Sequence, residues 1–298
     1  MKNIVFDKTQ YELICGAEKK LLHKVMNNLF TVNYNSNDIE VNNLYTYVKG
    51  NLPVCLVAHI DLVMHPAYEY FYCEKDNVVF SLSGADDDRN GVYGIVEVLK
   101  VGYKPDILLL DEEESGGFGA LEFIKNHPAY PNKIKFFLEL DRQGHNDMVT
   151  YQYANPAFDK AICQYGFRKA IGTFSDIYYL SPYYGIGAAN LSIGYVGEHT
   201  TGCHTYINSM MATIKKVCKI LDDIDNFHYF RWLKSLQKMK KAEIDNYIIE
   251  MKTKINTYGN YTHLYGHRYP KSQEQWNEEC YPIEDDEYGL SYVPYGDF

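Results

Sequence analysis

Five short stretches carry side chains able to bind a cation or move a proton, and four of them sit where an apolar run stops. PVCLVA at 53–58 is followed by His59 and Asp61, DILLL at 106–110 by Asp111, Glu112, Glu113 and Glu114, and FFLEL at 136–140 by Asp141. Glu198-His199-Thr200 comes soon after NLSIGYV at 190–196. The remaining stretch, Gly84-Ala85-Asp86-Asp87-Asp88-Arg89-Asn90-Gly91, precedes a helical pattern, so its carboxylates sit near a helix N-terminus, where the dipole favours negative charge. Imidazoles and carboxylates with no thiolate motif beside them suit zinc, cobalt or manganese, and suit iron–sulfur or structural Cys-zinc sites poorly. A pair of ions needs one bridging carboxylate and a terminal set for each ion, which five ligands and a separate base would supply. Taken singly, an H-x-D pair is more often packed or exposed than ligating, and an acidic run is usually a turn or a helix cap. Their conjunction at the ends of apolar runs reverses those odds.

The elements that must position these groups follow from the same runs. Short, nearly continuous apolar segments read as strands buried on both faces. Between them, residues 90–101, with Val92, Ile95, Val96 and Leu99, and residues 118–125, with Leu121 and Ile124, have helical spacing. Strands alternating with helices predict a doubly wound α/β fold, with a mostly parallel central sheet and helices on both faces. In such a sheet ligands bind outside the carboxyl ends of the strands, so the acidic and imidazole groups converge on one crevice. Residues 43–49 read as an outer strand, 68–82 as a hairpin turning at Asp76-Asn77, and 190–196 as a further strand. Ser209 is expected to N-cap a helix carrying Met210, Ile214, Val217, Leu221 and Ile224, and Ser175-Asp176 to be a simple helix cap. A basic helical stretch covers about 230–252, and from 256 onward Gly, Tyr, Asn and acid follow without a period.

Composition narrows the function classes. Lys+Arg 29 against Asp+Glu 39 gives a net charge of −10, which argues against nucleic acid or an anionic membrane as partner. There is no run of eighteen apolar residues to span a membrane, and MKNIVFDKTQ has no apolar segment ahead of its charges, so no secretory signal is expected. Seven scattered cysteines without a CxxC pair fit a reduced, cytoplasmic protein better than a disulfide scaffold.

The ordered string His59-x-Asp61, GADDDRNG, Glu113-Glu114-Ser115-Gly116-Gly117-Phe118-Gly119-Ala120, Asp141 and His199-Thr200 resembles the co-catalytic dinuclear zinc peptidases. That superfamily joins zinc aminopeptidases to dipeptidases, carboxypeptidases and deacylases, and the match covers about 43–208. The resemblance implies that His59 binds one metal while Asp61 orients its ring. It implies that Asp87 bridges, that Glu113 is the general base, and that Glu114, Asp141 and His199 complete the ligand set. Two registers stay open, Asp86 against Asp87 and Glu112 against Glu113. His199 is preferred to His204, whose own His-Thr pair falls five residues later, because it lies three residues beyond the apolar run.

Spacing bears on the branch. Asp141 and His199 are 58 positions apart, too few for an inserted lid domain, and the 28 positions between His59 and Asp87 hold only a hairpin. A compact enzyme nearest the single-domain aminopeptidases is implied, although DDR and ELDRQG look more like the branches with inserted domains. The expected domains are a catalytic one over 1–228, a helical extension over 229–255 and an irregular Tyr-rich acidic tail over 256–298. The expected function is a dinuclear zinc exopeptidase, an aminopeptidase cleaving short peptides by metal-activated water. Its two divalent ions would be zinc, with cobalt or manganese as alternatives. A carboxypeptidase, a dipeptidase, an amidohydrolase or deacylase on the same scaffold, or a binding protein without turnover are the other readings.

No ligand or motif lies in the tail. Removal of 256–298 is expected to leave the hydrolytic rate per active site nearly unchanged, measured on the truncated and full chains side by side; a large loss would mean that the tail lines the pocket.

Overall fold

The apolar runs become the strands at the middle of a sheet because both of their faces are covered. The computed structural model describes residues 4–130, 133–151 and 153–258. The chain divides into two compact units, Met1–Ile248 and Ile249–Phe298. In chain order the strands are β1 (Ile39–Val41), β2 (Tyr45–Val48), β3 (Val54–His59), β4 (Phe71–Cys73), β5 (Val78–Phe80) and β6 (Asp106–Leu110). They continue with β7 (Phe136–Arg142), β8 (Asp147–Val149), β9 (Arg168–Lys169), β10 (Gly187–Ser192), β11 (Tyr195–Val196) and β12 (His204–Tyr206). The main sheet runs β1-β2-β6-β3-β7-β10-β8-β9. Its four middle strands, β6, β3, β7 and β10, are parallel, and β2 and β8 flank them antiparallel. Parallel strands require coverage on both sides, and every residue of β3, β6 and β10 is buried.

The helices are α1 (Lys8–Gly16), α2 (Lys19–Asn33), α3 (Asp86–Lys100), α4 (Phe118–Asn126), α5 (Pro156–Cys163), α6 (Ile177–Tyr184), α7 (Ile207–Asp222) and α8 (Lys234–Tyr258). Strand alternation shows which lie on which face. Leu140 meets α3 at Gly94, whereas its neighbour in β7 of opposite parity, Phe137, packs near Tyr184 of α6. Glu139 and Asp141 share the parity of Phe137, so they point to the α6 side. The doubly wound expectation holds, and no lid domain interrupts the chain between β7 and β10.

Four expectations meet a more specific arrangement. Residues 68–82 do form a hairpin, with Asn77 at φ 55, but β4 and β5 belong to a second, antiparallel sheet, ordered β11-β12-β5-β4. NLSIGYV is not one strand. Its first residues end β10, the chain turns at Gly194, where φ is 90, and Tyr195 opens β11 in the small sheet. Ser209 does not cap α7; that helix starts at Ile207, and the Ser209 hydroxyl pairs with His145 Nδ1 at 2.8 Å. The basic stretch is helical only from Lys234, because Trp232 is drawn into the core, where its indole N–H donates to Ser181 Oγ at 2.9 Å. The proposed irregular tail lies outside the described residues, except that residues 256–258 continue α8.

The closest approach of helix to sheet sets the position of the acidic run. At Gly91 of α3, a Cβ atom would lie 2.3 Å from the Leu140 carbonyl oxygen and 2.4 Å from Asp88 Oδ2. The helix can touch β7 only because that position has no side chain. Gly91→Ala is expected to cost about 1–3 kcal/mol of folding free energy, the range for overpacking a tight core. Urea denaturation checks this, and an unchanged midpoint would show that α3 can move away.

Candidate metal centre

Each candidate group arrives on a separate element. His59 ends β3, the 111–114 segment follows β6, Asp141 lies near the end of β7, and Asp87 lies at the head of α3. His199 comes from the loop joining β11 to β12, so the small sheet rather than a strand end of the main sheet presents it. Donor atoms of His59, Asp87 and Asp141 all lie within 4.8 Å of one another, as do those of Asp87, Glu114 and His199. His59 Nε2 is 3.3 Å from Asp87 Oδ1 and 3.2 Å from Asp141 Oδ1. His199 Nε2 is 3.3 Å from the other oxygen of Asp87 and 3.0 Å from Glu114 Oε2. Asp87 therefore faces both groups, one oxygen to each.

The two open registers have distinct surroundings. Asp86 turns away from this cluster and accepts hydrogen bonds from the hydroxyls of Tyr11, Ser81 and Thr205. Glu112 turns toward Lys19, 3.8 Å away, while Glu113 lines the cavity beside Glu114. His204 lies outside the cluster; its ring packs on Phe80 with centroids 4.8 Å apart, and its Nδ1 is 2.8 Å from the Gly202 carbonyl.

Asp61 ties the elements together. One carboxylate oxygen is 3.3 Å from His59 Nδ1, and the pair of oxygens accepts the backbone N–H groups of Glu113 and Glu114 at 3.2 and 3.1 Å. A single side chain thus orients the imidazole and the acidic turn after β6. Several contacts were not anticipated from sequence. The Tyr195 hydroxyl lies 3.0 Å from Asp87 Oδ1 and 2.7 Å from the Asp141 carbonyl oxygen. Ser175 Oγ donates toward Glu139 and is 3.4 Å from Asp141 Oδ2, while Asn190 Oδ1 accepts the Asp141 N–H at 3.0 Å. Asp176 does precede α6, but its side chain makes no cap bond, and both of its buried oxygens lack a hydrogen-bond partner among the described residues. A polar residue inside an apolar run, Glu139 in FFLEL or Asn190 in NLSIGYV, was the available signal for this layer.

The electrostatics follow from burying acids together. Burial, reinforced by neighbouring carboxylates, pushes Glu113, Asp88, Glu139 and Asp176 upward, and pushes Asp141 to about 7. For His59 burial alone would lower the pKa, but Asp141, Asp61 and Asp87 outweigh it and raise the ring well above its usual range. Hydrogen bonds to Asp87 and Glu114 raise His199 to about 10. Asp87, facing both imidazoles, is held below the ordinary carboxylate range despite its burial. The two imidazoles thus favour the protonated form in these surroundings. Buried carboxylates paired with imidazoles, and no thiolate among them, are a donor set that fits divalent metal ions.

Residues 43–185 match Peptidase family M28. No curated protein matches the chain. Among solved structures, a tripeptidase from Staphylococcus aureus is 13% identical with a TM-score of 0.57, covering 73% of this chain and 96% of that one. Aminopeptidase PepT from Bacillus cereus is also 13% identical, with a TM-score of 0.56 and coverage of 72% and 96%. A leucine aminopeptidase precursor from Bacteroides thetaiotaomicron is 15% identical, with a TM-score of 0.52 and coverage of 74% and 98%. At these identities the likenesses establish the fold.

Imidazole must be neutral to bind a metal, and the raised pKa values of His59 and His199 keep both rings protonated near neutral pH. Metal binding to the stripped protein is therefore expected to release protons at pH 7 and to tighten as pH rises. Calorimetric titration in two buffers of different ionisation enthalpy measures the release; identical heats in both would contradict it.

Proposed function

We propose that the chain, whose residues 43–185 match Peptidase family M28, is a metallopeptidase, and more narrowly a dinuclear zinc aminopeptidase acting on short peptides. The observation that carries this reading is the placement of Asp87, whose two oxygens face the His59–Asp141 group and the Glu114–His199 group separately. On this assignment Asp87 with His59 and Asp141 would hold one ion, and Asp87 with Glu114 and His199 the other. Two bound divalent ions, zinc with cobalt or manganese as substitutes, would acidify water and polarise the scissile carbonyl.

The remaining steps belong to the chain's own side chains. Glu113 lines the cavity next to these groups, and burial raises its affinity for a proton, as a general base requires. It takes the proton from the attacking water and passes it to the leaving amine. Asp61 fixes the backbone of Glu113, so the base is held in place through the same carboxylate that orients His59. Tyr195 holds the Asp87 side chain and the Asp141 backbone together.

The names of the structural neighbours, an aminopeptidase, a tripeptidase and a leucine aminopeptidase precursor, support amino-terminal cleavage of short substrates. We assign catalysis to residues 1–228, with 229–255 a helical extension and 256–298 a tail outside the chemistry. The six described cysteines are free, which supports a reducing compartment, and we place the protein in the cytoplasm. No helix among the described residues is long and apolar enough to cross a membrane.

Elemental analysis after reloading with zinc is expected to approach two ions per chain. Glu113→Gln should keep them while losing about 10²–10⁴ in rate, since the amide cannot accept the water proton. Glu114→Gln and His199→Ala should instead lower the metal content, and His204→Ala should not. A metal content near zero after reloading would overturn the dinuclear reading, and turnover confined to N-acylated substrates would move the activity to a deacylase.

A further inference from the structure

Besides the His199 imidazole, the cavity over the acidic cluster is lined by one guanidinium. Its volume is about 490 Å³, in the range of sites for small ligands, and it is lined by Asp87, Glu113, Glu114, Asp141 and Glu198 as well as Arg142. Among the described residues lining it, Arg142 is the only lysine or arginine.

Arg142 is also underused. It ends β7 directly after Asp141, and its Nη2 donates to the Ile171 carbonyl at 3.3 Å. That is its one side-chain hydrogen bond among the described residues, although a guanidinium has five N–H donors. Its Nε is buried without a partner, and the nearest carboxylate paired with it, Asp147, is 3.9 Å away. None of the acids of the proposed metal centre neutralises it. Room beside it is kept by Gly172, where a Cβ would come within 3.4 Å of Nη1 and 3.1 Å of Val149 Cγ1.

An arginine fork with free donors, beside a cluster that repels anions, matches a planar carboxylate. We propose that Arg142 binds the free C-terminal carboxylate of the substrate, which makes di- and tripeptides the preferred class. This rests on the peptidase reading, which puts bond cleavage at Glu113. Arg142 lines the same cavity as Glu113 and Asp141, and two extended residues span only about 7 Å, so a carboxylate one or two residues past the cleaved bond stays within reach of the guanidinium. A long chain has only neutral amides to offer at that position.

The test separates binding from turnover. Binding of Leu-Gly-Gly and of its C-terminal amide to the zinc-loaded Glu113→Gln protein is measured by calorimetry, with and without Arg142→Gln. Rates of hydrolysis of the same two peptides are measured with Glu113 intact. The amide is expected to bind about 10- to 100-fold more weakly when Arg142 is present, the scale of a charge-assisted hydrogen bond. Arg142→Gln should weaken the acid by a similar factor and leave the amide unchanged, and Arg142→Lys should recover part of the loss. Equal binding of acid and amide to the protein retaining Arg142 would overturn the proposal, and that comparison needs no Arg142 variant. Equal weakening of both peptides by Arg142→Gln would overturn it too, assigning Arg142 to holding the Ile171 loop. Hydrolysis of neither peptide would instead defeat the peptidase reading, while the binding preference would still decide the role of Arg142.

Discussion

Carboxylates that repel one another and lose their water are forced into one place by the sheet. β3, β6 and β7 run parallel, so their carboxyl ends, and whatever acids follow them, open at the same edge. Asp88 and Asp176 have no exposed surface, and Glu139 has 1%. A buried charge without compensation is among the most expensive features a fold can carry. The structure meets the cost with positive charge on His59 and His199, and with protons retained on the acids whose pKa is raised. Both are what divalent ions would displace. The chemistry proposed for this pocket and the electrostatic cost of burying its acids therefore have the same origin.

Precision in that pocket comes from backbone contacts as much as from side chains. Gly91 lets α3 press against the Leu140 carbonyl, which fixes where Asp87 and Asp88 begin, and Asp88 accepts both the Gly91 N–H at 2.8 Å and the His59 N–H at 3.3 Å. Gly119 plays a matching part after β6, where a Cβ would come within 2.6 Å of the carbonyl oxygens of Asp111 and Leu44. The glycines of the two motifs are thus packing devices that let elements approach, while the acids beside them do the electrostatic work.

Much of this was legible because a strand buried on both faces leaves a plain mark, an apolar run with an abrupt polar end. His59, Glu113, Glu114 and Asp141 could be brought to one crevice on that ground alone. The choice between Asp86 and Asp87 could not, since neighbouring acids look identical until Tyr11, Ser81 and Thr205 claim one of them. Tyr11 and Thr205 are distant in sequence, and hydroxyls leave no periodic trace. His199 was drawn from the end of an apolar run, yet the run breaks at Gly194 and a hairpin of the small sheet carries the residue. Tyr195 was hidden for a different reason: in a chain with 29 tyrosines, one more inside a strand attracts no attention. Ser209 has the right residue type for a cap, but the helix begins two residues earlier, at Ile207, where β12 delivers the chain.

The strand order has a consequence for how such a pocket comes into being. β6 inserts between β2 and β3, and β3 pairs with β7, so neighbours in space are far apart along the chain. His59 and His199 are 140 positions apart in the sequence, and no short fragment contains either of these two donor groups complete. Loop closure over such separations is slow and must come before any reward from the contacts. A nascent chain thus has scattered acids, and the proposed cation site would be complete only when the hairpin carrying His199 docks. On the proposed assignment, retention of ions would report that the strands from β3 to β12 have come together.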